Sequence, residues 1–123
     1  MEDTSLFDPQ HLLTQIDNDS DLLKEIVELF VTDSELRIAD IRDSIARQDS
    51  EALFRSAHTL KGAVSNFGAK SVFAASLELE TMGRDNDLSR AAEVLPDLEQ
   101  KLEHLRRALS EFAEAQVLVT NSA

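Results

Sequence analysis

Apolar residues recur every three or four positions along nearly the whole chain, and this helical period constrains the fold more than any other feature of the sequence. The most regular run lies toward the C-terminus and consists of Leu88, Ala91, Leu95, Leu98, Leu102, Leu105, Leu109 and Phe112. Pro96 interrupts this run and predicts either a kink or a fresh helix start. Residues 117–123 are expected to form a frayed tail.

Four further helices are predicted upstream of this run. Asp8 followed by Pro9 is typical of a helix cap and a first helical residue. The predicted helices span about 9–16, Asp21 to Arg47, Ser50 to Asn66 and Lys70 to Met82. Either Asp49 or Ser50 can cap the third of these helices, and Gly68 can end it in a left-handed conformation. A turn over Gly83 to Asp87 is expected to follow the fourth. In the long second helix the predicted buried stripe comprises Leu22, Ile26, Leu29, Phe30, Ile38, Ile41 and Ile45.

These helices predict an all-α fold. Four long amphipathic helices with short connections cannot bury their apolar stripes singly, so we expect an antiparallel up-down four-helix bundle capped by the short N-terminal helix. The absence of tyrosine and tryptophan, with three glycines and two prolines, argues against a sheet. One domain is expected over 1–123, with its core at about 21–116.

Composition excludes several function classes. Twenty-four acidic against twelve basic residues give a net charge of −12, which repels nucleic acids and anionic membrane surfaces. The chain has no cysteine, which excludes thiol catalysis and disulfides and favours a reducing compartment, so we expect a cytoplasmic protein. Neither a signal peptide nor a membrane span is apparent.

The helix predicted over Ser50 to Asn66 carries a histidine away from its apolar face. The apolar residues Leu53, Ala57, Leu60, Val64 and Phe67 share one sector of that helix. His58 lies on another flank, beside Phe54, Lys61, Gly62 and Ser65. The ring of Phe54 is expected to be partly buried and to form the floor of a docking surface.

Gly62 and Lys61 indicate what this flank can bind. A glycine inside a helix costs roughly 0.5 to 1 kcal/mol relative to alanine. Helical side chains lean toward the N-terminus, so a side chain at position 62 would cover His58, and glycine leaves that space open. Lys61 leans the same way and can reach an anion on the imidazole. A neutral imidazole nitrogen is a nucleophile, so a phosphoryl group held by a charge-assisted hydrogen bond is the natural adduct.

The run His58-Thr59-Leu60-Lys61-Gly62-Ala63, continued by Phe67-Gly68-Ala69, resembles the signature of histidine-containing phosphotransfer (HPt) domains of two-component phosphorelays. The stretch from Leu79 to Arg84 also resembles the end of the next helix in that family. The likeness spans about Leu22 to Phe112.

The resemblance implies that His58 accepts and donates a phosphoryl group, that Lys61 steadies it and that Gly62 clears the approach. It makes Glu80 a candidate partner for the other imidazole nitrogen, and Arg84 a candidate contact to the phosphoryl group or the docked protein. Phe54, Arg55 and Ser65 are candidate docking residues. The implied partners are response-regulator receiver domains and a hybrid sensor kinase. The protein is expected to be a monomer without cofactor or metal, and not an enzyme, because nothing resembles an ATP-binding segment.

Two alternatives stay open. The chain could be the phosphorylation domain of a chemotaxis-type histidine kinase, separated from its catalytic parts. It could also be a helical adaptor whose histidine is not phosphorylated. Independently of these two, Glu80 and Arg84 could form an ordinary surface ion pair four residues apart.

Overall fold

The computed structural model describes residues 6–121, which form five α-helices: α1 (Pro9–Gln15), α2 (Ser20–Ala46), α3 (Ser50–Ser65), α4 (Lys70–Arg84) and α5 (Ala91–Asn121). No strand occurs between residues 6 and 121. The all-α prediction is therefore confirmed. No helix in this range has the length and apolar character that a membrane span needs.

Aspartate side chains cap the first three helices. Asp8 accepts a hydrogen bond from the backbone N–H of His11, and Pro9 occupies the first helical position as predicted. Asp19 caps α2 and Asp49 caps α3. Because each carboxylate satisfies a backbone donor that the helix itself cannot satisfy, these aspartates determine where the helices begin.

Gly68 adopts a left-handed φ of +64° after α3, as predicted. Gly83 behaves differently from the prediction, because α4 continues through it to Arg84. A Cβ at position 83 would lie 2.6 Å from the backbone nitrogen of Phe54 and 2.7 Å from the carbonyl oxygen of Ser50. Gly83 therefore allows α3 and α4 to pack closely, and the chain turns only after Arg84.

The C-terminal helix also differs from the prediction. α5 begins at Ala91, after Leu88, and continues through Pro96 to Asn121, so a fresh helix start at the proline is wrong. Proline removes one backbone hydrogen bond, but Val94 before it and Leu98 after it are both buried in the core. The predicted frayed tail is helical as far as Asn121, and 122–123 lie outside the described residues.

The hydrophobic core lies between the four long helices. α2 packs against α3 and α5, and α4 packs against the same two helices. The fully buried large side chains include Leu23, Ile41, Leu53, Leu60, Leu79, Leu98, Leu102, Leu105 and Leu109. Leu22 and Leu29, predicted to be core residues, are exposed, because the buried stripe of α2 passes through Leu23, Val27 and Phe30 instead.

The short α1 packs against the ends of other helices. Its Leu12 is buried, and so is Ile16 immediately after it. The backbone N–H of Asp8 donates to the carbonyl of Phe67 at 2.9 Å, and the Phe7 ring meets the Phe112 ring edge-on with centroids 5.3 Å apart. These contacts join the N-terminal segment to the end of α3 and to α5.

Candidate functional site: a histidine held by a buried carboxylate

The site begins with the way α3 presents His58 to solvent. Leu53, Ala57, Leu60 and Val64 are fully buried on one face of the helix. Their burial determines the rotation of α3 about its axis, and His58 is consequently directed outward with 62% of its side chain exposed. The imidazole is thus both reachable and attached to a rigid element.

Glu80 on α4 holds one nitrogen of this ring. Its Oε1 lies 2.8 Å from Nδ1 of His58, and only 6% of the Glu80 side chain is exposed. A carboxylate can only accept a hydrogen bond, so Nδ1 carries the proton and donates it. In the neutral imidazole, Nε2 is then the nitrogen that holds the lone pair.

Lys61 completes the charge balance around the carboxylate. Its Nζ lies 3.0 Å from Oε1 and 3.1 Å from Oε2 of Glu80, and 19% of its side chain is exposed. The ammonium is also 5.8 Å from the centroid of the Phe73 ring, within the range of a cation–π contact. Lys61 thus stabilises a buried negative charge that would otherwise be costly.

The surroundings of Glu80 act on its pKa in opposite directions. Burial raises the pKa of the carboxyl group, whereas the hydrogen bonds from Lys61 and His58, with the positive charge of Lys61, lower it. The lowering effects prevail, so the pKa of Glu80 lies below the ordinary glutamate value of 4.5. Glu80 is ionised at neutral pH, as the hydrogen bond from Nδ1 requires.

Two residues determine the space around the exposed ring. The Phe54 ring stacks on the imidazole with centroids 5.9 Å apart and an interplanar angle of 14°. A Cβ added to Gly62 would meet nothing within 4 Å. Gly62 is therefore not required for helix packing, and the space beside it is open.

The other candidate residues lie at the edge of this arrangement. Arg84 does not pair with Glu80; its Nε lies 3.7 Å from a carboxylate oxygen of Asp85. Arg55 makes an ion pair with Glu51 at 2.8 Å, and the Ser65 hydroxyl donates to the carbonyl of Gly62 at 2.9 Å. The simple ion pair between Glu80 and Arg84, considered as an alternative, is therefore wrong.

A depression of about 470 Å³ extends from Phe54 along the junction of α3 and α4, lined by Ser50, Glu51, Phe54, Gly83, Arg84 and Asn86. Arg84 and Phe54 both line this depression, whereas Glu80 does not. Within 6–119, no three His, Cys, Asp or Glu side chains are arranged to hold a metal ion.

The structure brings together three of the candidates that the sequence suggested, His58, Lys61 and Glu80, but the sequence carried no sign of how they are connected. Sequence reasoning assigned Glu80 to the imidazole and Lys61 to a phosphoryl group, whereas one carboxylate contacts both. The close-packing role of Gly83 was also missed. Both features depend on the separation of α3 and α4, for which the periodicity of a single helix carries no signal.

Comparison with known proteins decides the family. The family model described as Hpt domain matches residues 25–108, which is most of the chain. The chain belongs to the Hpt domain family. The match includes the whole of α3 and α4, and therefore the histidine, lysine and glutamate described above.

Two relatives resemble this Hpt domain over most of its length. The phosphorelay intermediate protein of Dictyostelium discoideum is 22% identical over 109 residues, which cover 89% of this chain and 43% of that protein. The chain thus spans less than half the length of this relative. The crystal structure of histidine-containing phosphotransfer protein B from Pseudomonas aeruginosa PAO1 matches with a TM-score of 0.83 and 26% identity, covering 89% of this chain and 96% of that one.

Proposed function

We propose that this Hpt domain is a phosphorelay intermediate that accepts a phosphoryl group on Nε2 of His58 from a receiver-domain aspartate and passes it to another receiver aspartate. The observation that carries the proposal is the 2.8 Å contact between Nδ1 of His58 and the buried Glu80 carboxylate. Burying the charge of the Glu80 carboxylate costs free energy. A histidine that is merely solvated on the surface would not account for this cost, whereas a histidine that must be held in one orientation does.

In the proposed transfer, Nε2 attacks the phosphorus of the aspartyl phosphate. A nitrogen–phosphorus bond forms while the bond to the aspartate oxygen breaks, and the aspartate leaves with the bonding pair. The proton on Nδ1 stays on the ring, so the phosphorylated imidazole gains a positive charge beside Glu80. The carboxylate stabilises that charge and keeps the ring in one orientation. The reverse steps, with a second receiver, return the phosphoryl group to an aspartate.

Lys61 and Gly62 have supporting roles in this proposal. An ammonium has three donors, so Lys61 can retain Glu80 and donate to a phosphoryl oxygen. The open space at Gly62 lets a receiver approach the ring. Phe54, Arg55 and Ser65 would contribute to the docking surface, and Arg84 would contact the docked protein from the depression beside Phe54.

We further propose that the four long helices form an antiparallel up-down bundle and that α1 covers one end of it. The bundle would be a single domain over 1–123, with its core at about 21–116. The packing of α2 and α4 each against α3 and α5 supports this arrangement. We infer that the relay is monomeric. We also infer that it has no kinase activity, because three glycines leave no Gly-rich phosphate loop in this sequence. The lack of cysteine favours a cytoplasmic location.

Phosphotransfer from labelled receiver domains tests the proposal. Wild-type protein should take up a label that mild acid removes, and His58→Gln should take up none while keeping its helical circular dichroism. His11→Gln and His104→Gln are matched controls, because both histidines are also exposed on helices. Label on the His58→Gln variant would contradict the assignment.

The same assay separates the two alternatives. An adaptor with an unphosphorylated histidine takes no label from any receiver. A chemotaxis-type phosphorylation domain takes label from a kinase ATP-binding domain, and the length of the native gene would show whether such a domain is attached.

A further inference from the structure

Phe54 differs from the other phenylalanines of the chain in where its ring lies. The sequence has six phenylalanines, and five of them belong to the hydrophobic core or pack against it, namely Phe7, Phe30, Phe67, Phe73 and Phe112. Phe54 lies outside that core and is half-buried. A phenyl ring that stays partly in water gives up part of the free energy of burial, so packing alone does not explain why a phenylalanine occupies this position.

The Phe54 ring lies against the imidazole of His58 instead. The two residues are four positions apart on α3, so their side chains lie on the same side of the helix. Their ring centroids are 5.9 Å apart, and the two ring planes differ by 14°. In this near-parallel stack the phenyl ring presents its face to the imidazole, at a distance typical of favourable aromatic pairs.

Close packing with α4 fixes the position of this stack. A Cβ at position 83 would lie 2.6 Å from the backbone nitrogen of Phe54 and 3.0 Å from its Cα, so α4 approaches residue 54 as closely as a glycine allows. On the same helix, Glu80 contacts Nδ1 of His58 at 2.8 Å. α4 therefore constrains the backbone of Phe54 and, through Glu80, the edge of the imidazole.

Phosphorylation would change the charge of the imidazole and thereby the strength of the stack. In the transfer proposed above, the ring keeps its Nδ1 proton and becomes positively charged. The face of a phenyl ring is the negative side of its quadrupole, so it attracts a cation more strongly than a neutral ring. The centroid distance of 5.9 Å lies within the range of about 6 Å over which this attraction acts.

We propose that Phe54 is a positioning residue that favours the phosphorylated state of His58 by stacking its phenyl face on the charged imidazole. This inference rests on the proposed phosphotransfer function and adds a residue that acts on its equilibrium. Glu80 stabilises the positive charge at the edge of the ring, and Phe54 stabilises it from the face. Because the interaction is stronger in the phosphorylated state, it shifts the equilibrium toward that state.

The equilibrium of phosphotransfer with one receiver domain distinguishes this role from docking. A contact made only in the docked complex changes the forward and reverse rates alike and leaves the equilibrium constant between the free proteins unchanged. Phe54→Leu keeps an apolar side chain without a π face, and should shift the equilibrium constant toward the phosphorylated receiver about two- to fivefold. Phe54→Tyr keeps the ring and should retain the wild-type value.

Phe112→Leu is the matched control, because this phenylalanine is also half-buried on a helix and its ring meets Phe7 rather than His58. It should leave the equilibrium constant unchanged, and thermal melts should show that all variants fold. An unchanged constant in Phe54→Leu, with or without slower transfer, would overturn the proposal and leave Phe54 a docking residue only. An equal shift in Phe54→Tyr or Phe112→Leu would also overturn it.

NMR spectra of the unphosphorylated protein test the stack without a receiver. A stacked phenyl ring displaces the resonances of the imidazole protons through its ring current, and the spectrum of His58→Gln identifies these resonances by their loss. They should move in Phe54→Leu and stay near their wild-type positions in Phe54→Tyr. Unchanged resonances in Phe54→Leu would overturn the stack itself. A stack seen by NMR in a protein that takes no label from any receiver would instead contradict the proposed function, and with it the charge that Phe54 is proposed to stabilise.

Discussion

Glu80 connects the two charged residues of the site, since one buried carboxylate accepts hydrogen bonds from both His58 and Lys61. This arrangement orients the imidazole through its Nδ1 and leaves Nε2 for chemistry. It also makes the glutamate a titrating component of folding stability, because its surroundings differ between the folded and unfolded chain.

We expect the stabilisation contributed by Glu80 to be lost in acid. Its folded pKa lies below the ordinary 4.5, so between those values the unfolded chain binds more protons and stability rises with pH. The contribution is complete above about pH 4.5 and falls as the pH drops through the folded pKa. Urea unfolding of wild type and Glu80→Gln should therefore differ more at pH 7 than in acid. Glu78→Gln, exposed on the same helix, is the control, and a difference for Glu80→Gln that is independent of pH would refute this account.

Two helical glycines should respond to alanine in opposite directions. Gly62→Ala should stabilise the protein by up to about 1 kcal/mol, because the new methyl group meets open space and alanine favours the helix. Gly83→Ala should destabilise it by roughly 1 to 3 kcal/mol, because the new Cβ would press on the backbone of α3. Thermal melts measure both. Gly62→Gln should fold normally yet accept phosphate from a receiver more slowly; an unchanged rate would remove the access role of Gly62.

At the scale of one element, α5 tolerates a proline as its sixth residue. Pro96 cannot donate to the carbonyl of Ala92, so one helical hydrogen bond is missing on an exposed side. The continuity of the helix is maintained by the leucines at 98, 102, 105 and 109, all fully buried. Burial of these leucines in the core therefore outweighs the tendency of Pro96 to interrupt the helix.

Pro96→Ala should therefore stabilise the protein, by roughly 1 to 3 kcal/mol, because it restores the backbone donor. Pro9→Ala is the matched control: this proline occupies the first position of α1, where no intrahelical donor is needed, so stability should stay level or fall slightly. Chemical denaturation measures both changes. If the two substitutions changed the free energy of unfolding equally, Pro96 would not destabilise α5.

For the whole molecule, the net charge of −12 adds a long-range repulsion between its parts. Self-repulsion of this size opposes the compact state, whereas the surface ion pairs distributed over the helices contribute little individually. Salt weakens both the self-repulsion and the ion pairs. Whether added salt raises or lowers Tm therefore shows which of the two is larger.

We expect Tm to rise from about 10 mM to about 150 mM NaCl, as the Debye length falls from about 30 Å to about 8 Å. Glu28→Lys, at an exposed position without an ion pair among the described residues, should raise Tm more at low salt than at high salt. A Tm that falls with salt would show that the ion pairs outweigh the repulsion.

Local rules in the sequence determined most of the fold. The helical period predicted the helices, the aspartates at 8 and 49 and the glycine at 68 marked their ends, and the run around His58 identified the family. These signals are carried by neighbouring residues, whose spacing and backbone preferences act within one or two turns. They also placed His58 away from the buried face before any tertiary contact was known.

The tertiary structure decided what depends on the distance between helices. It decided that one carboxylate contacts both His58 and Lys61, that Gly83 lies within a helix against α3, and that Leu29 faces solvent. Each outcome depends on the rotation and separation of packed helices to within an ångström or a fraction of a turn. That geometry is set by how the whole core interlocks, because close packing couples every helix to its neighbours.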